Sequence, residues 1–196
     1  MNTKDAHLLW RTNAEKVLLD GNLFRFVAAQ RSSQDGRSGD FVYLQAPDWV
    51  HVIAVVQDAQ GRDCFVLVRQ YRHGSQQVSL EFPGGVVDPG EEPSVAALRE
   101  LAEETGYQAG KVQQIGQSSP NPAILNNVMY TFLASDIDEQ AGKQNLDATE
   151  IVDVHLVPCQ DVLEGRCPEF SQHALMLSAL YWYGLVMQER NVGGGK

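Results

Sequence analysis

Residues 81 to 107 read EFPGGVVDPGEEPSVAALRELAEETGY. Pro93 suits the first turn of a helix, where its missing N–H is no loss; Glu91 and Glu92 complement the positive end of the dipole, and Gly106 provides a stop. A helix is therefore predicted over Pro93 to Glu104. With about 100° between successive residues, Glu100, Glu103 and Glu104 share an arc of about 100°, while Val95, Leu98, Leu101 and Ala102 turn to the other side. Like charges at this spacing repel by about a few tenths of a kcal/mol per pair, so something should compensate them. A hard divalent cation does so: Mg²⁺ takes oxygen ligands and uses one or two carboxylates together with waters and substrate phosphates. Arg99, beside them, can hold one carboxylate by a charge-assisted hydrogen bond. An acidic helix face on its own is more often a solvated surface. Here Pro83-Gly84-Gly85 and Asp88-Pro89-Gly90 precede it, tight turns that let backbone approach a ligand closely.

Outward from this segment the chain reads as alternating strands and helices. Trp49 to Val56 (WVHVIAVV) and Cys64 to Arg69 (CFVLVR) are β-branched runs separated by DAQGRD, a spacer suited to a hairpin. Val128 to Leu133 and Ile151 to Val157 are further strand candidates. A second helix is predicted over about His173 to Gln188, rich enough in Leu and aromatic residues to be buried on more than one side. Residues 1 to 47 read as short β segments, Leu23 to Ala29 and Phe41 to Leu44, around a polar loop. They form a small N-terminal sheet that leans on the rest or on another subunit. The class is α/β or α+β with a mixed sheet. The tail from 191 to 196, NVGGGK, is expected to fray.

Composition narrows the function classes. The 196 residues carry 15 Lys+Arg against 25 Asp+Glu, a formal charge of −10. That balance argues against sequence-independent binding to nucleic-acid backbone or anionic lipid, though a bound cation can still invert the field around a small polyphosphate. No apolar run reaches the length of a membrane span and the N-terminus lacks a secretory core, so a cytoplasmic location is expected. Cys64, Cys159 and Cys167 show no metal spacing and are expected to be reduced thiols.

The quoted segment resembles the Nudix box: a glycine, five residues, Glu, seven residues, then Arg-Glu-bulky-x-Glu-Glu-x-Gly-bulky. Gly85, Glu91, Arg99, Glu100, Leu101, Glu103, Glu104 and Gly106 all fall in place. Tyr107 closes the pattern where the family usually has an aliphatic residue, a departure that concerns packing rather than chemistry. The resemblance implies a Nudix α/β/α sandwich with mixed sheet over residues 48 to 190, in addition to the small N-terminal β-sheet. It also implies Mg²⁺- or Mn²⁺-dependent attack of water on a nucleoside diphosphate linked to another group. By resemblance Glu100 and Glu104 are metal ligands, the carbonyl of Gly84 is another, Glu103 is a further ligand or orienter, and Arg99 buttresses the cluster with Glu91.

Upstream, LVRQYRHGSQQVSLEFPGG looks like the corresponding stretch of ADP-ribose pyrophosphatases and nucleotide-sugar Nudix hydrolases. An arginine at the place of Arg72 there contacts substrate phosphates, and the strand enters a Glu-x-Pro-x-Gly turn, matched by Glu81, Pro83 and Gly85. Downstream, Pro122 stands fifteen positions after Tyr107, close to the spacing of the ADP-ribose group. In that group a glutamate at the place of Glu150 joins the metal cluster and an acid two residues earlier acts as base. Ala148 occupies that position here, leaving Asp147, Glu150 and Glu103 as candidates for water activation. Trp49 could stack on a nucleobase or pack at the core edge. Relatives of this group form dimers through their N-terminal region, so a homodimer with residues 1 to 47 at the interface is expected.

The expected activity is hydrolysis of ADP-ribose or a related nucleoside diphosphate sugar to a nucleoside monophosphate and a sugar phosphate. Alternatives are a Nudix hydrolase of another dinucleotide or coenzyme such as NADH, or a ligand sensor that keeps the fold without turnover. An RNA-end hydrolase is set aside for want of a basic track.

Overall fold

The computed structural model describes residues 3–138 and 142–193. By their internal contacts the residues divide into two units, Met1–Pro47 with Ser119–Val128, and Asp48–Ser118 with Met129–Lys196.

In the smaller unit a short 3-10 helix, Thr3–Leu8, leads into β1 (Trp10–Asp20), β2 (Arg25–Ser33) and β3 (Ser38–Gln45), an antiparallel sheet in that order. β1 is longer than anything expected there. Every one of its residues is exposed, so no face is buried and no alternation of apolar and polar residues marks it in the sequence. The segment 119–128 returns to β3: Leu44 N–H donates to Ile124 O at 2.8 Å, and Ala46 N–H to Asn126 Oδ1 at 3.0 Å.

The larger unit contains two sheets. One has the order β8-β4-β10-β9, from β4 (Trp49–Ile53), β8 (Gly84–Val86), β9 (Ala109–Ser118) and β10 (Met129–Ile137). The other runs β11-β6-β5, from β5 (Val55–Gln57), β6 (Asp63–Arg72) and β11 (Val152–Pro158), with β7 (Gln77–Glu81) also paired to β6. β4 and β10 are parallel and the other pairs antiparallel, which makes the first sheet mixed. The single strand expected from Trp49 to Val56 is broken at Ala54. Its carbonyl accepts from Val66 N–H at 3.0 Å, and the chain passes there from the first sheet to the second.

Alternation along these strands builds two cores. Val50, Val52, Val66, Phe132 and Ala134 pack with Ala96, Ala97 and Leu101 of helix α1 (Pro93–Thr105). Ile53, Phe65, Leu67 and Leu133 point the other way, against Phe170 of α3 (Pro168–Ser171) and Met176, Ala179 and Tyr183 of α4 (Ala174–Gly193). This is the α/β/α layering expected, with a short α2 (Cys159–Leu163) and α3 added ahead of α4. Phe65, Phe82, Phe170 and Tyr183 meet edge to face at ring separations of 5.2 to 5.3 Å, an arrangement that adds to simple burial. α4 continues through Gly193, past the point at which fraying was expected, and Arg190 in its last turn complements the negative end of the dipole. Residues 194–196 lie outside the described residues.

One buried polar residue ties this core to pH. His51, 2% exposed, shares a hydrogen bond of 2.8 Å with Thr131 Oγ1. Burial, helped by the charge of His173 and opposed by Glu81, pushes its pKa down from 6.5 to about 4. The folded chain thus refuses a proton that the unfolded chain accepts. Stability from this residue is full above pH 6.5 and is lost as pH falls towards 4, by as much as about 3 kcal/mol. Denaturant titrations between pH 7 and pH 4.5 should show a shallower acid loss for His51→Gln than for the native chain.

Candidate active site

α1 begins after Glu92, whose backbone is extended, with Pro93 in its first turn. It ends at Gly106, φ 76°, whose N–H donates to Ala102 O. Its apolar side is spent on the core, so Arg99, Glu100 and Glu103 project away from it.

Arg99 binds more than the single carboxylate expected of it. Nε and Nη2 donate to the two oxygens of Glu91, each at 3.0 Å, and Nη2 also donates to Val86 O at 3.0 Å. Nη1 donates to Glu100 Oε1 at 2.8 Å and to Glu103 Oε2 at 3.1 Å. These bonds raise the Arg99 pKa and hold Glu91 below the usual carboxylate range. Glu100 lies against β8: a Cβ at Gly85 would fall 2.3 Å from its Oε1, so a larger residue there would force the Glu100 carboxylate to move.

Glu104 is buried and accepts from Gly84 N–H at 2.8 Å. Burial pushes its pKa up to about 8, opposed by that N–H and aided by the charges of Glu100 and Glu150. Glu100 is likewise raised, by burial first, with Arg99 opposing and Glu103 and Glu150 adding to the rise. Glu100, Glu104 and Glu150 thus lie near enough to affect one another's ionisation.

Glu150 reaches them through a latch that the sequence did not reveal. Gly142 N–H donates to Gly106 O at 2.7 Å, Asn145 N–H to Glu103 O at 2.9 Å, and Gln144 Nε2 to Glu104 O at 2.6 Å and Val152 O at 3.1 Å. Carbonyls at a helix C-terminus need outside partners, and here residues 142–145 supply them. A glutamine in a polar loop carries no signal that it will cap a helix 40 residues away. The loop then turns at Asp147 and Glu150, where Glu150 N–H donates to Asp147 O and Asp147 N–H to Glu150 Oε2. Asp147 joins through its backbone. Residues 139–141 lie outside the described residues.

Arg72, at the end of β6, is 44% exposed and carries the charges of Glu104 and Glu150 in its surroundings. Its Nε and Nη2 bind the two oxygens of Glu81 at 2.8 and 2.5 Å, which raises its pKa. Glu81 is 2% exposed; burial works to raise its pKa, and Arg72 outweighs this and leaves it lowered. Both oxygens of Glu81, expected to face substrate, are thus engaged by Arg72. Trp49 is half-buried at the start of β4, in register with Val86 of β8 and Met129 of β10. Pro122 belongs to the smaller unit, where it borders a cavity of about 360 Å³ with Arg31, Phe41 and Tyr43.

Among the described residues no group of three or more His, Cys, Asp or Glu side chains forms a ready metal cage. The expected set Gly84, Glu100, Glu103, Glu104 and Glu150 is thus not gathered as such. The reason is on hand: Arg99 takes an oxygen of Glu100 and of Glu103, and Gly84 N–H takes one of Glu104. The donor chemistry still fits a hard cation. Every donor in the set is an oxygen, and burial, with the neighbouring carboxylates adding to it, leaves Glu100 and Glu104 short of positive charge.

A profile of the NUDIX domain matches residues 47–177. The chain belongs to the Nudix family. This Nudix hydrolase is 32% identical over 194 residues to ADP-sugar pyrophosphatase of Mus musculus, covering 91% of this chain and 87% of that one. It is 29% identical over 154 residues to ADP-ribose pyrophosphatase of Bacillus subtilis, covering 79% and 81%. A solved ADP compounds hydrolase shares the fold at a TM-score of 0.75 and 24% identity, over 95% of this chain and 96% of that chain. Among the described residues of this Nudix chain, no helix is long and apolar enough to cross a membrane.

The latch gives a test. At Gly106 a Cβ would fall 2.3 Å from Gly142 O, and φ is 76°. Gly106→Ala should cost about 1–3 kcal/mol in a denaturant titration, and should lower activity further by displacing Glu150.

Proposed function

We propose that this Nudix hydrolase cleaves the pyrophosphate bond of ADP-ribose or a related nucleoside diphosphate sugar, releasing a nucleoside monophosphate and a sugar phosphate. The observation that carries the reading is the pairing of opposites. Arg72, half exposed, stands among the charges of Glu104 and Glu150, while Glu100 and Glu104 repel each other. A guanidinium matches phosphate oxygens bidentately, and the carboxylates match the cation that accompanies a pyrophosphate. The family resemblance of relatives that act on ADP-ribose and ADP-sugars supports the substrate class.

Glu100, Glu104 and Glu150, with the Gly84 carbonyl and Glu103 as a further ligand or orienter, would hold Mg²⁺ or Mn²⁺. Such a cation, when bound, neutralises the pyrophosphate and lowers the pKa of a water. Arg72 binds and orients the phosphates from the β6 side. Arg99 keeps Glu100 and Glu103 apart at fixed positions. Glu150, carried by the latched loop, is able to accept a proton from the attacking water, with Asp147 and Glu103 as the other candidates. Trp49 is assigned to stacking on the nucleobase.

The test is a panel of ADP-ribose, other nucleoside diphosphate sugars and NADH with Mg²⁺ or Mn²⁺, both products being separated by chromatography. Turnover of NADH alone would select the coenzyme reading, and no turnover of any member would select the sensor. Glu104→Gln and Glu100→Gln keep shape and helix propensity, so the variants should fold yet lose at least about 10²-fold in turnover. Glu150→Gln should in addition raise the cation concentration needed for half-maximal rate.

We also infer that the chain works as a homodimer through the N-terminal sheet. Leu19 is 67% and Val42 53% exposed, and Val17, Leu18 and Phe41 are exposed with them. Large apolar side chains left exposed on one small sheet favour an interaction surface. Light scattering at micromolar concentration should give twice the 21.7 kDa of one chain, and Val42→Glu combined with Leu19→Glu should give the single-chain mass.

A further inference from the structure

The N-terminal end of α4 grips the strand that carries Glu81. His173 stands just before that helix, and its carbonyl accepts from the N–H groups of Met176 at 3.0 Å and Leu177 at 3.2 Å. Its backbone is thus given to starting the helix, and its ring faces β7. Nε2 lies 3.8 Å from Glu81 Oε1. Three residues on, Met176 Sδ accepts the buried N–H of Phe82 at 3.0 Å. Two neighbouring side chains of one helix end therefore hold two consecutive residues of one strand end.

An ionised carboxylate only accepts, so a ring N–H is the group suited to face it, here in an electrostatic contact longer than a hydrogen bond. The other ring nitrogen, Nδ1, is buried and has no hydrogen-bond partner among the described residues, so Nε2 is the nitrogen that meets Glu81. We infer that His173 is a positioning residue for substrate binding, acting on Arg72 through Glu81. The inference rests on the reading of Arg72 as a phosphate contact. An arginine side chain has much rotamer freedom to lose on binding, and a fork already docked on a fixed carboxylate loses less. Glu81 keeps that fork in place only while it is itself held. His173 is the outer member of the chain that holds it, running from α4 through β7 to β6.

Calorimetry with inorganic pyrophosphate and Mg²⁺ reads this without turnover. His173→Phe keeps ring volume and removes the N–H, and should weaken binding about fivefold, the scale of one partly exposed charge contact. Arg72→Gln should weaken it at least as much, and the double variant no more than Arg72→Gln alone, because the two act through one group. His173→Gln, which returns an N–H donor, should bind within about twofold of the native chain. In the ADP-ribose assay His173→Phe should raise KM by a similar factor and leave kcat nearly unchanged, the mark of lost binding shared by ground and transition states. Melting curves establish folding, and His173→Met takes the place of His173→Phe if the latter does not fold. Native affinity in the His173 variant overturns the inference. So does an undiminished effect in the Arg72→Gln background, or native affinity in Arg72→Gln itself. Absence of turnover on every ADP sugar would overturn the substrate reading alone, and pyrophosphate affinity would still decide the role of His173.

Discussion

Arg99 donates to three carboxylates and one carbonyl drawn from three parts of the chain: Val86 at the end of β8, Glu91 in the following turn, and Glu100 and Glu103 on α1. Remove it, and Glu91 of the turn and Glu100 and Glu103 of the helix lose the cation they share, and the two helical glutamates repel unopposed. The planar guanidinium is the side chain able to do this, since its donors point in several fixed directions at once, whereas an ammonium offers one compact charge. The glycine turn and the helix are thereby locked in one register, and the close approach of Gly85 to Glu100 follows from that lock.

Around this hub the site balances burial against charge. Glu104 is driven towards its neutral form by burial and held back by the Gly84 N–H and the charge of Arg72, while Arg72 itself is drawn to its own buried glutamate. Buried carboxylates and one half-exposed guanidinium thus feel one another. A ligand that carries negative phosphate together with a divalent ion suits both kinds of group, and neither partner alone suits both.

The helix, its stop and its acidic face were legible because each is written in local residues at fixed spacing: Pro93, Gly106 and the glutamates between them. The strands that feed the cores, β4, β6, β10 and β11, were legible from β-branched runs. β1 was not, since WRTNAEKVLLD buries nothing and so has no pattern to read. β9, AGKVQQIGQS, is an edge strand with a mostly polar surface and escaped for the same reason. The break at Ala54 depends on a bond from Val66, and the roles of Gln144 and His173 depend on partners far along the chain. Such contacts exist only once the fold has formed. Resemblance supplied the roles of Glu150 and Arg72, which spacing within the acidic helix could not.

The segment 142–150 is fastened to α1 largely by main-chain N–H groups meeting main-chain carbonyls, with Gln144 as the added side-chain strap. Hydrogen bonds of that kind are indifferent to what the intervening side chains are. The loop can therefore change its outward residues from one descendant to the next while the glutamate at its end keeps its address. The exposed side chains of residues 147 to 149 and the place of Glu150 are thus separately inheritable, the second resting on a seam of backbone that side-chain replacement seldom reaches.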